Sequence, residues 1–286
     1  MHRLSLYLEL TKPRLTLLSV LTALAGFYLG TTDTIDPVRL AHLLSGTALV
    51  GAGLAALNQF LERRVDALMS RTAGRPLPSG RLSPGAALCF GASICVFGMV
   101  QLLLAVNALT AVLAAATLVL YLFCYTPLKC RTPQCTIVGA IVGAIPPVMG
   151  YTAAANTLDS VALVLFAILF VWQLPHFMAI ASLFRDDYRA AGMRMLPALD
   201  SAENRTARQI AVHSLALLVI TLWPTYLGIA GHAYLMGSLL LGFIFGAFAF
   251  DAAVTHTQQA ARRLFVVSIA YLPMLLAVMM WDKTRV

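Results

Sequence analysis

Residues 160–197 read SVALVLFAILFVWQLPHFMAIASLFRDDYRAAGMRMLP. From Ser160 to Phe184 there is no Asp, Glu, Lys or Arg, and then Arg185, Asp186, Asp187 and Arg189 arrive together. A helix needs roughly 20 mostly apolar residues to cross the hydrocarbon layer of a bilayer, so this stretch reads as a spanning helix that ends abruptly at a polar surface. Eight more stretches have the same character, which places spans near 14–30, 39–58, 85–104, 108–127, 135–152, 159–183, 208–229, 233–253 and 264–281. The composition agrees: 60% of the 286 residues are hydrophobic and 11% charged, with a mean hydropathy of +0.83. A water-soluble domain has no use for that balance. The expected fold is an all-α, polytopic membrane protein of about nine transmembrane helices around a central cavity, in one domain over 1–286. The run MHRLSLYLELTKPRLTLLSV is expected to be the first span, since it has neither a cleavage site nor a transit-peptide composition.

The net charge of +8 would suggest nucleic acid in a soluble protein; here its distribution points instead to membrane lipid. Arg3, Lys12 and Arg14 precede the first span. Arg63, Arg64, Arg71, Arg75 and Arg81 follow the second, and Lys129 and Arg131 the fourth. Arg185, Arg189, Arg194, Arg205 and Arg208 follow the sixth, and Arg262 and Arg263 precede the ninth. The alternate connections hold Arg39, with Lys283 and Arg285 at the end of the chain. By the positive-inside rule about 17 of the cations face the cytoplasm, with the N-terminus inside and the C-terminus outside.

The two long connections, near 59–84 and 184–207, are on this basic face, and binding residues belong on such loops. They follow the second and sixth spans, four helices apart, which suggests a repeated four-helix unit with a ninth helix added. The first begins NQFLERRVDALMSRTAGRPLPSGRLSP at Asn58. Asn58, Glu62 and Asp66 are four residues apart, so a continuing helix stacks them on one face at about 6 Å per step. A row of oxygen donors suits Mg²⁺, which commonly bridges carboxylates to phosphates; a solvated helix end with ordinary surface charges fits the same spacing. Arg71, Arg75 and Arg81 follow among Pro76, Pro78, Gly80 and Pro84. Guanidinium groups bind phosphate oxygens in pairs, although arginines here also anchor topology.

In the second connection Asp186 and Asp187 read either as a second metal-binding wall opposite the first or as a charge-paired turn. His176 follows Pro175 within the apolar run; a proline there can open a helix, while a lone buried histidine is more often a hydrogen-bonded core residue. A third patch, YTPLKCRTPQ from Tyr125, sets Lys129 and Arg131 at the end of the fourth span as diphosphate contacts or topology anchors. The small residues and prolines of GAIVGAIPPVMGY, 139–151, read as architecture that lets helices approach. Cys89, Cys95, Cys124, Cys130 and Cys135 have no paired spacing and read as packing residues. His213, His232, His256 and Asp251 draw no chemistry.

Together these patches resemble the intramembrane, UbiA-type prenyltransferase superfamily, and within it the haem O synthase branch, over nearly the whole chain. The superfamily pattern of an asparagine and acids at four-residue spacing after helix two is matched by Asn58, Glu62 and Asp66. The branch is marked by R-T-x-x-R-P-L at Arg71–Leu77, by Tyr125–Lys129 and Gly143–Pro147, and by W-Q-x-P-H-F at Trp172–Phe177 leading to D-D-Y-x-x-A-G-x-x-M-L-P at Asp186–Pro197. Two departures stand out: Glu62 where many members carry Asp, and adjacent aspartates in the second motif where others space them by four. The resemblance implies Mg²⁺-dependent transfer of a farnesyl group from farnesyl diphosphate to a vinyl group of haem B, with water addition; the lack of a transit-peptide composition favours a bacterial inner membrane. It implies metal binding by Asn58, Glu62, Asp66, Asp186 and Asp187. Diphosphate contacts would come from Arg71, Arg75, Lys129 and Arg131, and His176 would act near the haem. Haem A synthase or a terminal oxidase under assembly would be neighbours. Asn58, Asp66, Arg71, Arg75, Lys129 and His176 form the expected catalytic set.

Competing readings are a prenyltransferase of the same fold acting on a quinone or chlorophyll precursor, a transporter, and a structural subunit. A transporter places its charges near mid-bilayer, whereas these collect at one surface. A structural subunit does not need two acidic clusters facing arginines.

Overall fold

Pro13, Pro37 and Pro84 each stand at the start of a long helix, where the missing N–H is no loss and the fixed φ is already helical. Among the described residues side-chain oxygens cap the starts of five helices: Asp36, Ser83, Asn107, Asp159 and Thr257 each accept from backbone N–H groups of the first turn. Such local signals set where helices begin. The computed structural model describes residues 2–284; Arg285 and the Arg3 side chain lie outside the described residues.

Among the described residues nine helices are long and apolar enough to cross a membrane, as expected. They are Pro13–Gly30, Pro37–Asp66, Pro84–Ala105, Ala108–Leu128, Cys135–Ala155, Ser160–Leu183, Asn204–Tyr226, His232–Thr255 and Gln258–Trp281, called the first to ninth spans below. The second runs eight residues beyond the apolar stretch read from sequence, which carries Glu62 and Asp66 out on the same helix as Asn58. The fourth loosens near its end into a π-helical turn at Leu120–Tyr125.

The first span packs closely on the fifth, the second on the third, and the sixth on the fifth, seventh and ninth; the ninth also returns to the first. The first–fifth seam depends on glycine. A Cβ on Gly26 would stand 1.9 Å from the Pro147 carbonyl oxygen, and one on Gly150 1.9 Å from that of Ala23. Only hydrogens let these backbones meet. Two main apolar clusters result, one centred on the fifth to ninth spans and one on the first to fifth. Large apolar side chains such as Leu104, Phe243 and Val266 point outward, which in lipid carries no penalty. The protein is a multi-pass membrane protein, and the loops carrying Arg71, Lys129 and Arg185 lie at one end of it.

Candidate active site at the basic face

Asn58, Glu62 and Asp66 are buried, at 1%, 7% and 1% exposure, on the last three turns of the second span. A helix C-terminus is the end where a carboxylate is least welcome, because the macrodipole is negative there. Each is held by a partner from another element. Glu62 Oε1 receives Lys129 Nζ at 2.8 Å, and Asp66 Oδ2 receives an Arg75 guanidinium N–H at 2.7 Å. Asn58 donates to Thr126 Oγ1 at 3.2 Å and accepts from Lys12 Nζ at 3.4 Å. Thr126 is available because its own hydroxyl donates back to the Tyr121 carbonyl across the π-helical turn. Wider turns of this kind are often found at functional sites.

Three cations, Lys12, Arg75 and Lys129, therefore share a small volume with two carboxylates. Burial and the neighbouring charges of Arg75 and Lys129 lower Lys12 to about 7. Burial also opposes the charge on Lys129, but its neighbours Tyr125 and Glu62 outweigh it and raise this ammonium well above its ordinary value. When Lys12 is protonated the cations here outnumber the carboxylates, a balance that suits an anion. Lys12 had read as a topology anchor. The signal for its second role is its place immediately before Pro13, but which helix it faces depends on the tertiary fold.

Behind the cluster lies an apolar cavity of about 270 Å³. Lys12, Tyr121 and Tyr125 stand at its polar end, and Leu54, Val50 and Thr47 of the second span line it further in. At 1.5 Å rise per residue, Thr47 is roughly 16 Å from the level of Asn58. A charged headgroup at the mouth and an extended hydrocarbon inside match these two zones.

The other expected residues are distributed differently. Arg71 stacks its guanidinium on Phe184, 4.4 Å from the ring centroid, at the rim. Asp187 Oδ1 accepts from the N–H and Oγ of Ser70 at 3.0 and 2.8 Å. The Ser70 hydroxyl, followed by the Ser70 and Arg71 amides, holds this carboxyl below its ordinary value. Asp187 thus fastens the arginine-bearing loop to the end of the sixth span. Asp186 is 96% exposed on its side chain, 3.7 Å from Arg189, and is not brought to Glu62 and Asp66. Arg131 is exposed, its carbonyl accepting from Arg194. His176 lies on the sixth span, with Nδ1 2.6 Å from Ser268 Oγ of the ninth.

Hard oxygen donors in a row suit Mg²⁺, which usually takes one or two carboxylates and completes its shell with water and phosphate oxygens. Among the described residues no group of three His, Cys, Asp or Glu side chains is placed to hold an ion alone. The oxygens of Asn58, Glu62 and Asp66 are donors of the kind that fits this ion, and each residue is engaged by Lys12, Lys129 or Arg75.

The model of the UbiA prenyltransferase family matches residues 19–279, and the chain belongs to this family. It is similar to the protoheme IX farnesyltransferase of Solibacter usitatus (strain Ellin6076), 46% identical over 97% of this chain and 98% of the relative. In fold it is similar to a structure described as concerning digeranylgeranylglyceryl phosphate synthase in membranes, with TM-score 0.82, 16% identity and 99% of both chains covered. It also resembles a UbiA homologue from Archaeoglobus fulgidus bound to GPP and Mg²⁺, with TM-score 0.64, 16% identity, and 96% and 99% of the two chains covered.

Proposed function

We propose that this prenyltransferase transfers a farnesyl group from farnesyl diphosphate to a vinyl group of haem B, with addition of water, to give haem O. The observation that carries the reading is the row Asn58, Glu62 and Asp66, each on a cation or hydroxyl from a different element, joined through Lys12 to an apolar cavity that Lys12 itself lines. The resemblance to protoheme IX farnesyltransferases along the full chain supports haem as the acceptor.

Asn58, Glu62 and Asp66 would hold Mg²⁺, which when bound supplies positive charge to the departing diphosphate. Arg75, Lys129 and Lys12 release their carboxylate and amide partners as the diphosphate enters, and Arg71 reaches it from the rim. The allylic C–O bond breaks with its electron pair leaving on the diphosphate, where these preorganised cations stabilise the growing charge. The cavity shields the allylic cation from bulk water. The vinyl π electrons of the acceptor then form the new C–C bond, and water adds at the adjacent carbon with loss of a proton. Asp187 contributes by docking the loop that carries Arg71 and Arg75; Asp186 and Arg131, both exposed, are left as outer contacts for the metal–diphosphate. His176 stands towards the haem. The membrane is a bacterial inner membrane, with the basic face and N-terminus in the cytoplasm, the C-terminus in the periplasm, and haem A synthase or terminal oxidase assembly downstream.

Extraction and chromatography of haems from cells expressing the chain test this directly: haem O accumulates with the wild type. Arg75→Ala lowers it by at least about a hundredfold, as loss of one stabilising group at a developing anion does, and Asp66→Asn, which removes a charge that would hold the metal, lowers it as well, while the protein stays inserted. Haem O at wild-type level in these variants refutes the site. Haem B alone, with farnesyl diphosphate in excess, refutes the acceptor and favours a quinone-type one.

A further inference from the structure

His176 and Ser268 come from the sixth and ninth spans, 92 positions apart, and meet at 2.6 Å. The direction of their hydrogen bond follows from counting hydrogens. Ser268 Oγ also lies 2.6 Å from the Phe265 carbonyl oxygen, and a carbonyl can only accept. The single hydroxyl hydrogen therefore goes to Phe265, so His176 Nδ1 must carry the proton it shares with Oγ. In the neutral imidazole the lone pair is then on Nε2, which has no hydrogen-bond partner among the described residues.

The ring is held in place as well as in tautomer. Trp172 stacks on it at 4.9 Å between centroids and 20° between planes, and Phe265 at 5.4 Å and 27°. Trp172 Nε1 donates at 3.0 Å to the Ser268 carbonyl, so Ser268, fully buried, is tied to one turn of the sixth span through both its main chain and its side chain. His176 itself is half-buried. An imidazole whose Nδ1–H is committed to an oxygen, with Nε2 free and flat aromatic walls beside it, is arranged as metal-binding histidines are.

We propose that Ser268 is a positioning residue that fixes His176 as the Nδ1–H tautomer, so that Nε2 serves as an axial ligand to the iron of the porphyrin acceptor. This rests on the haem-acceptor reading above. The test is titration of the purified full-length protein in detergent with ferric haem B, without prenyl donor, followed by Soret absorption and electron paramagnetic resonance. The wild type is expected to bind saturably with a histidine-ligated spectrum. His176→Ala loses that signature, and added imidazole restores it. Ser268→Ala keeps the Trp172 bond to its main chain and melts as the wild type, yet binds haem about ten- to a hundredfold more weakly, the usual cost of removing a partner behind a metal ligand, with a shifted spectrum. Ser268→Thr, which keeps the hydroxyl, stays close to the wild type. Unchanged affinity and spectrum in Ser268→Ala overturn the positioning role, as does a loss that only tracks unfolding; an unchanged spectrum in His176→Ala overturns the ligation. A wild type that binds no haem but still farnesylates another acceptor removes the haem reading itself, and this proposal with it.

Discussion

The second span carries an aspartate at each end, and the two are held by different physics. Asp36 accepts from the N–H groups of Val38 and Arg39, both at 3.0 Å, so its negative charge stands where the helix dipole and the orphan amides favour it. Asp66 stands at the opposite pole, 1% exposed, and depends on Arg75, nine positions further along, for its counter-charge. Acids hold helix starts elsewhere on both faces: Asp200, on the basic face, accepts from the Thr206 amide at 2.7 Å. On the Asp36 side, Asn107 and Asp159 cap helices, and Asp282 accepts from the Tyr234 amide. On the other side Glu62 and Asp66 cap nothing. A carboxylate that stabilises its own helix needs no further explanation; one buried at the unfavourable end, compensated by a cation from elsewhere, marks a site where a ligand can take over that cation.

Lys129→Ala is the strongest test of this contrast. It leaves Glu62 buried without its partner, and breaking a buried pair from one side costs about 3–5 kcal/mol, so both detergent melting temperature and haem O yield should fall steeply. Equal stability in this variant would mean that the acids at this end are as self-sufficient as the caps at the other. A smaller effect is expected at Asp187. Its carboxyl is held below its ordinary value mainly by Ser70, so its hold on the loop is complete above the ordinary carboxylate range, near ~3.9, and is lost as pH falls through its lowered value. Hydrogen exchange at the Ser70 amide should quicken in that acid window, and Asp187→Asn should weaken the same protection at neutral pH. The smallest change belongs to Asp36→Ala: loss of an N-cap costs about 1 kcal/mol, read as a modest drop in melting temperature, with haem O formation unchanged. A loss of activity there would break the division between the two ends.

The loop between Asp66 and Ser83 shows how far a local reading reaches. Its prolines and Gly80, which has φ of 71°, announce a turn-rich segment, and the arginines announce an anion. Arg75 does meet Asp66, nine positions away, and that much is within reach of the sequence. That Arg81 instead pairs with Glu9 at 3.3 Å and Arg71 lies on Phe184 depends on which distant helix ends share this corner. That Lys12 meets Asn58 depends on the same packing, and the paired aspartates after the sixth span, which read either as a metal-binding wall or as a charge-paired turn, divide, Asp187 turning to Ser70 and Asp186 to solvent.

What the linear chain determined is what depends on neighbours within a few residues and on the solvent. Apolar runs of bilayer length give the spans, prolines and capping oxygens give their starts, alternating charge singles out one face, and four-residue spacing aligns Asn58, Glu62 and Asp66. What only the packed structure decided is which partners those groups hold. Lys129 reaches Glu62 across 67 positions, Asp187 reaches Ser70 across 117, and His176 reaches Ser268 across 92. Hydrogen bonds and the close ion pairs built on them form only when donor and acceptor come within about 3 Å, so these choices exist only once the helices are brought together, and no periodicity in the chain encodes them.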